Sequence, residues 1–306
     1  MRELLLDNPN KTVEILPNKC GKNDFLKTIL QSNQKISVEL SPNHSFQCDI
    51  LQRIRPTFVS ITWLGNLHLD LPVEQIPAVI LAKQFCDQNY SVLLHLTGRN
   101  LKKERMMKIL EHLKEVGVKN ILALQGDRRH ILEPDDTKCD FPYASDLVMF
   151  IKKKFGDDFC VGVAGYPDVH PNNHNLEEDL NVLQCKVSNG AEFIVTQATF
   201  DFEALENFGL ACRKHNINIP IIPGIFVIKS YQTLVAMQKY CEFKITKNVL
   251  DFVQENRDND EVIANYGVDF AIDFIKRCLD RKELFSAVHM FSMNNIEDLE
   301  KVILRL

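Results

Sequence analysis

A glutamate set inside an apolar run is the first residue of this chain that calls for a chemical explanation. It stands in Ile36-Ser37-Val38-Glu39-Leu40-Ser41-Pro42. A carboxyl there is either solvated at a strand end or buried, and burial raises its pKa into the range of a general acid. The alternative is a structural glutamate satisfied by Arg, Lys or backbone donors. A second carboxylate, Asp127, follows Leu124-Gln125-Gly126. The glycine permits close backbone approach to a ligand, although an ordinary Asx turn uses the same residues. His95 ends another apolar run and is either a ligand contact or a core histidine. His170 and His174 have the spacing of a metal pair, but Pro171 and two Asn between them argue for a loop, so no metal is expected.

These residues need elements to position them. Short apolar runs rich in β-branched residues and Leu predict eight strands: Ile36–Leu40, Thr57–Trp63, Ser91–Leu96, Asn120–Leu124, Phe159–Ala164, Glu192–Thr196, Ile219–Pro223 and Ala287–Phe291. Amphipathic helices lie between them. Met106, Ile109, Leu110, Leu113 and Val116 form one stripe. Leu176, Leu180, Leu183 and Val187 form another, preceded by Asn175 and Glu178 in the pattern of a capping box. Ile263, Tyr266, Phe270, Phe274 and Cys278 form a third. Strands alternating with helices imply parallel pairing and right-handed crossovers. At 306 residues the natural closure is a (β/α)8 TIM-type barrel, with a doubly wound open sheet as the alternative. The strands then end, in order, near Glu39, Thr62, His95, Gln125-Gly126-Asp127, Gly165-Tyr166-Pro167, Thr196-Gln197 and Pro223-Gly224. In a barrel those ends converge on one face, where active sites are built.

Composition narrows the classes. Hydrophobic residues make up 45%, charged residues 25%, and the net charge is −5, so no basic field points to nucleic acid. No apolar run is long enough to span a bilayer, and the first twenty residues lack the pattern of a secretory signal. Nine Cys without a C-x-x-C pair predict reduced thiols in a cytoplasmic protein. No G-x-G-x-x-G, Walker loop or G-x-S-x-G elbow is present, so a nucleotide cofactor is expected across the barrel mouth rather than on a Rossmann unit. One catalytic barrel over 1–306 is expected, with 1–21 as a surface arm.

Several motifs occur together and in order. They include Val38-Glu39, Phe58-Val59-Ser60-Ile61-Thr62-Trp63, His95-Leu96-Thr97, Asn120 to Asp127, Tyr143-Ala144-Ser145-Asp146-Leu147, Val163-Ala164-Gly165-Tyr166-Pro167, Phe193 to Gln197 and Pro220 to Phe226. In this the chain resembles the catalytic domain of methylenetetrahydrofolate reductases of the eukaryotic type, from about Ile36 onward. The resemblance implies a barrel holding FAD, reduced by NADPH or NADH, that reduces 5,10-methylenetetrahydrofolate to 5-methyltetrahydrofolate. It implies Glu39 as the acid that opens the imidazolidine ring and Asp127 as the carboxylate favouring the resulting cation. It implies folate contacts from Gln197 and Asp127, and flavin contacts from Thr62, Trp63, His95, Gly126, Asp127, Tyr143, Ala144, Tyr166, His170, Asp179 and Lys186, the last as a phosphate partner.

The chain departs from that family at Gln125, where an Arg is usual, and at Leu40-Ser41, Val227 and Met293-Asn294-Asn295, the last in place of Leu-Asn-Arg. The regulatory domain of the eukaryotic enzymes is absent from the sequence, so inhibition by S-adenosylmethionine is not expected. Two other readings follow from the departures. One is a catalytically impaired flavin- or folate-binding paralogue, or a partner of a full-length reductase. The other is a barrel reductase for a different pterin. Barrels of this kind often self-associate through their outer helices, so a homo-oligomer is a further expectation.

Overall fold

The computed structural model describes residues 22–33, 35–42, 48–63, 70–126, 140–170, 173–241 and 243–306. Asp127 and the arm at 1–21 lie outside the described residues. The strands are β1 (Ile36–Leu40), β2 (Val59–Ile61), β3 (Val92–Thr97), β4 (Asn120–Leu124), β5 (Cys160–Gly165), β6 (Phe193–Ala198), β7 (Ile221–Phe226) and β8 (Val288–Phe291). Each pairs in parallel with its neighbours in sequence, and β1 pairs with β8, with Ser37 opposite His289, which closes the sheet. This is the (β/α)8 barrel expected from the sequence.

The helices run in order: α1 (Lys22–Gln31), α2 (Cys48–Ile54), α3 (Pro77–Asp87), α4 (Lys103–Glu115), α5 (Ala144–Phe155), α6 (Leu176–Ser188), α7 (Phe202–Lys214), α8 (Tyr231–Cys241), α9 (Lys247–Glu255), α10 (Asp260–Asp280) and α11 (Ile296–Leu304). Their apolar stripes pack on the outward strand residues, such as Val38, Leu40, Ile61, Leu94 and Leu96, in one continuous buried cluster. The capping box before α6 forms only in part. Asn175 Oδ1 accepts from Glu178 N at 3.0 Å, but the Glu178 carboxylate takes the N–H of His174 at 2.9 Å instead of that of Asn175.

Two strands differ from expectation in an instructive way. The segment labelled β2 is shorter than Thr57–Trp63, yet its hydrogen bonds span from Thr57 N to Ile36 O, 2.7 Å, to Thr62 N to Leu40 O, 3.0 Å. The strand β7 continues past Pro223 to Phe226. Proline cannot donate to the ladder, and the register between β6 and β7 shifts beside Val195 and Ala198. Gly224 N then donates to Thr196 Oγ1 at 2.9 Å, so a side chain replaces the missing ladder acceptor.

The barrel interior is filled by inward residues and closed from below. Helix α1, unforeseen from the sequence, places Phe25 and Ile29 four residues apart against the strand starts. The Phe25 ring sits 5.2 Å from those of Phe58 and Phe193. Phe193 reaches the interior only because Gly162 faces it. A Cβ on Gly162 would lie 2.2 Å from the Phe193 ring. Gly162→Ala is therefore expected to overpack the barrel and cost about 1–3 kcal/mol. Urea unfolding checks this, and an unchanged midpoint would show that Phe193 can swing away.

Candidate active site at the barrel mouth

Above the apolar plug the interior turns polar, one strand step at a time. Ser37, Ser60 and His289 form a fully buried layer. The Ser37 hydroxyl donates to Val288 O at 3.1 Å, so its oxygen accepts from His289 Nδ1 at 2.8 Å. The Ser60 hydroxyl then donates to His289 Nε2 at 3.0 Å. This assigns one neutral tautomer. Burial, aided by nearby His95, pushes His289 down to about 3. Two residues further along β1 and β2 come Glu39 and Thr62. The alternation of strand side chains that buries Ser37 and Ser60 thus also turns Glu39 and Thr62 inward.

Glu39, Thr62, His95 and Gln197 share one cavity of about 560 Å³ with Tyr166, Phe226, Met237, Cys241, Phe243, Phe291 and Met293. The Glu39 side chain is 15% exposed. Burial raises its pKa to about 7, against the Thr62 hydroxyl, which donates to Oε1 at 3.2 Å and pulls the other way. His95 Nδ1 lies 3.8 Å from Glu39 Oε1. Burial also holds His95 at about 4, so at pH 7 the imidazole is neutral, Glu39 is about half protonated, and the two are not an ion pair. His95 Nε2 is buried without a hydrogen-bond partner, the state of an atom that a ligand completes.

A raised carboxyl pKa has a thermodynamic consequence. Glu39 titrates near 4.5 when unperturbed and near 7 in the fold. The folded form holds its proton more tightly, so this group's stabilising contribution is complete below pH 4.5 and is lost as pH rises through 7. Glu39→Gln, neutral throughout, is expected to unfold later than the parent above pH 7 by about 2–3 kcal/mol, with the gap closing by about pH 5. Thermal unfolding across that range checks it, and a gap independent of pH would sink it.

A second cavity of about 660 Å³ opens beside the first, between the ends of β4 and β5 and the starts of α5 and α6. The two share Leu124, Ala164 and Tyr166, so they form one cleft. Tyr143 and Ala144 line it at the α5 N-terminus, His170 lines it from the β5–α6 connection, and Asp179 and Lys186 line it from α6 itself. The Asp179 carboxylate organises that connection by accepting from His170 N at 3.1 Å and Asn173 Nδ2 at 2.7 Å. The Tyr166 and His170 rings meet edge to face at 4.4 Å, and burial pushes the Tyr166 hydroxyl up to about 12. Lys186 Nζ donates to Ala164 O at 3.2 Å and lies 5.9 Å from the Tyr166 ring centre. Burial lowers its pKa, partly offset by Asp179.

Of the residues singled out in the sequence, the fold thus brings ten to this cleft. Gly126 lines neither cavity; it follows Gln125, which lines the second, and takes φ +100°, a conformation that suits glycine. Trp63 lines neither cavity and packs at 7% exposure in the outer core. His170 and His174 lie on the loop before α6, and no group of three metal-capable side chains converges among the described residues. Nor is any helix among them long and apolar enough to cross a membrane.

The structure adds residues that the sequence reading passed over. The apolar wall of Phe226, Met237, Phe243 and Phe291 suits a flat ring system. Arg99, 6% exposed, donates from Nε to Gly126 O at 3.2 Å and from its backbone N to Gln125 O at 2.9 Å, and so props the loop leading to Asp127. It sits just past β3, the same strand-end signal that marked the others. Gln125, where a cation is usual in the family, ties its amide to Pro142 O at 2.6 Å, just ahead of α5. Asn295 is tied to Asp298 in the first turn of α11.

Comparison with known proteins agrees with this fold. A fission yeast protein, methylenetetrahydrofolate reductase 1, is 32% identical over 253 residues, covering 82% of this chain and 41% of the relative. A thale cress relative named for NADH is 34% identical, covering 80% and 42%, and a nematode relative named for NADPH is 30% identical, covering 86% and 39%. The chain spans about two fifths of the length of these relatives. A Buchnera 5,10-methylenetetrahydrofolate reductase is 35% identical, covering 74% of each chain. Among solved structures, an uncharacterized Clostridium thermocellum protein that binds two copies of 5-methyl-5,6,7,8-tetrahydrofolic acid shares the fold at a TM-score of 0.60 and 14% identity, covering 91% of this chain and 95% of the other. The profile of one family runs along the barrel from the middle of β1 to the last residue, 38–306, and by that match this chain belongs to the methylenetetrahydrofolate reductase family.

Proposed function

We propose that the protein is a flavin-dependent reductase that converts 5,10-methylenetetrahydrofolate to 5-methyltetrahydrofolate with NADPH or NADH as donor. The observation that carries this reading is the continuity of the cleft. A buried acid with a pKa near 7 opens into the same space as a helix N-terminus and a buried ammonium.

The residues present fit FAD. The α5 N-terminus lines the cleft at Tyr143, Ala144 and Ser145 with the positive end of the helix dipole, and Lys186 offers a cation, which together suit a diphosphate. The partnerless Nε2 of His95 would suit a polar edge of the ring system, and Leu124 and Ala164, shared by the two cavities, would offer it apolar surface. Bound there, FAD would take hydride from the nicotinamide and supply it to the substrate's one-carbon unit.

The chain's own groups prepare the substrate. Glu39, held in its protonated form up to about pH 7, gives that proton to a ring nitrogen of the imidazolidine, the C–N bond opens, and the methylene becomes an iminium ready for hydride. Family position assigns Asp127 the task of stabilising that cation. Gln197 Oε1 already accepts from Ala198 N at 2.9 Å, so Nε2 is the atom it offers the pterin. The aromatic wall stacks on the ring and excludes water.

The test is anaerobic. The purified protein loaded with FAD should bleach with NADPH or NADH and recover its visible spectrum when methylenetetrahydrofolate is added. Bleaching without recovery would keep a flavin reductase and discard the folate. Failure to bind FAD would discard both.

A further inference from the structure

Asn294 lines neither cavity described above, yet both ends of its amide are bonded to Ser41, the residue that follows the strand carrying Glu39. The chain leaves β8 through Ser292-Met293-Asn294, and Met293 and Asn294 take left-handed backbone at φ +49° and +62°. That tight turn brings the Asn294 amide alongside β1, where it engages both backbone groups of one residue. Its Oδ1 accepts from Ser41 N at 2.7 Å and its Nδ2 donates to Ser41 O at 2.8 Å. Beneath it the Ser292 hydroxyl donates to the Glu39 carbonyl and accepts from Asn294 N at 2.8 Å. On the opposite flank, β2 holds the same stretch through Thr62 N to Leu40 O, 3.0 Å.

The sheet needs such a clasp here. The register of β1 with β8 ends at Val38–Met290, one residue before Glu39. Beyond that point the ladder no longer closes the seam. The bonds of Ser292 and Asn294 are what join the two strand ends on either side of the acid. We propose that Asn294 is a positioning residue whose amide closes the seam between β1 and β8 and thereby keeps bulk water from the Glu39 carboxyl. This rests on Glu39 being the acid of the site.

Among the described residues the titratable groups facing Glu39 are His95 on β3, His289 on β8 below it, and Tyr166 just past β5 and Cys241 at the end of α8 across the cavity. Asp127 lies outside the described residues. The two imidazoles and the phenol are neutral near pH 7, because burial pushes His95 to about 4, His289 to about 3 and Tyr166 to about 12. No cation among them sets the Glu39 proton affinity. Dryness sets it, and dryness depends on the seam.

Asn294→Gly isolates the clasp, since glycine accepts the left-handed backbone and removes only the amide. The reading is a carbon-13 titration of the Glu39 carboxyl by NMR, assigned with Glu39→Gln. The parent midpoint is expected at about 7, and Asn294→Gly should lower it by about one unit or more as water reaches the carboxyl. Ser292→Ala should move it the same way. Where turnover is measurable, the alkaline limb of the folate step should shift in parallel. A folded Asn294→Gly protein with the parent midpoint overturns the proposal, whatever its melting temperature. Should that variant not fold, Ser292→Ala with the parent midpoint does so. A shifted midpoint in a protein without folate turnover would uphold the positioning role and reject the reductase reading instead.

Discussion

Glu39→Gln is expected to slow reduction of methylenetetrahydrofolate by about 100- to 10,000-fold, the usual range for loss of a positioned general acid. Flavin bleaching by the nicotinamide should stay within about twofold, because no proton is delivered to the folate in that step. The asymmetry comes from geometry. Glu39 stands in the mouth cavity beside Gln197 and the aromatic wall, apart from Lys186 and the α5 N-terminus, which line the adjoining part of the cleft. In the parent the acid is competent only while protonated. The folate step should therefore fall as pH rises through about 7, and the variant's residual rate should be flat there. Stopped-flow traces of the two half-reactions, taken separately, check both points. An equal loss in both would make Glu39 a structural residue, and no loss in either would move the acid to another group, with Asp127 the next to test.

The sequence shows the strands of this barrel clearly because strands buried on both faces are written in continuous apolar residues, and polar residues at their ends stand out by contrast. Glu39 is legible for that reason. Its partners are less so. Ser37, Ser60 and His289 look like unrelated polar residues until closure sets β8 beside β1 and places Ser37 opposite His289. The aromatic wall comes from β7, β8, α8 and the residues after α8, and no local period links Phe226, Met237, Phe243 and Phe291. Helix α1 is hard to read in the sequence because it buries only Phe25 and Ile29 fully, with Leu26 half-buried beside them, too few for a periodic signal. The extension of β7 past Pro223 was missed because a proline reads as a stop, whereas Thr196 supplies the absent acceptor from the neighbouring strand. In the sequence Asn294 is only the middle residue of Met293-Asn294-Asn295, and the departure there that bears on folate is Asn295. The Asn294 clasp on Ser41 joins residues 253 apart in the chain, a relation that spacing cannot express.

Lys186→Met should weaken FAD binding by about 30- to 150-fold, equivalent to roughly 2–3 kcal/mol for a hydrogen bond between charged partners. Lys186 sits in the last turn of α6, inside the cleft, with Ala164 O as acceptor and the Tyr166 ring nearby. Burial lowers its pKa, and Asp179 only partly restores it. An ammonium kept under that strain is stabilised by an anion arriving beside it, and a diphosphate facing the α5 N-terminus would be such an anion. Methionine keeps the length and apolar stem of lysine but leaves no desolvated charge behind. The FAD-free variant should therefore melt at or above the parent temperature, while the rise in melting temperature on adding FAD should shrink. That combination separates a binding role from a structural one, since loss of packing would lower the FAD-free value first. Lys186→Arg, which keeps the charge, should recover part of the affinity. Fluorescence titration with FAD and melting curves with and without it give all three quantities. An unchanged FAD affinity in Lys186→Met would leave the α5 N-terminus as the sole phosphate anchor proposed in the cleft and take Lys186 out of the cofactor site.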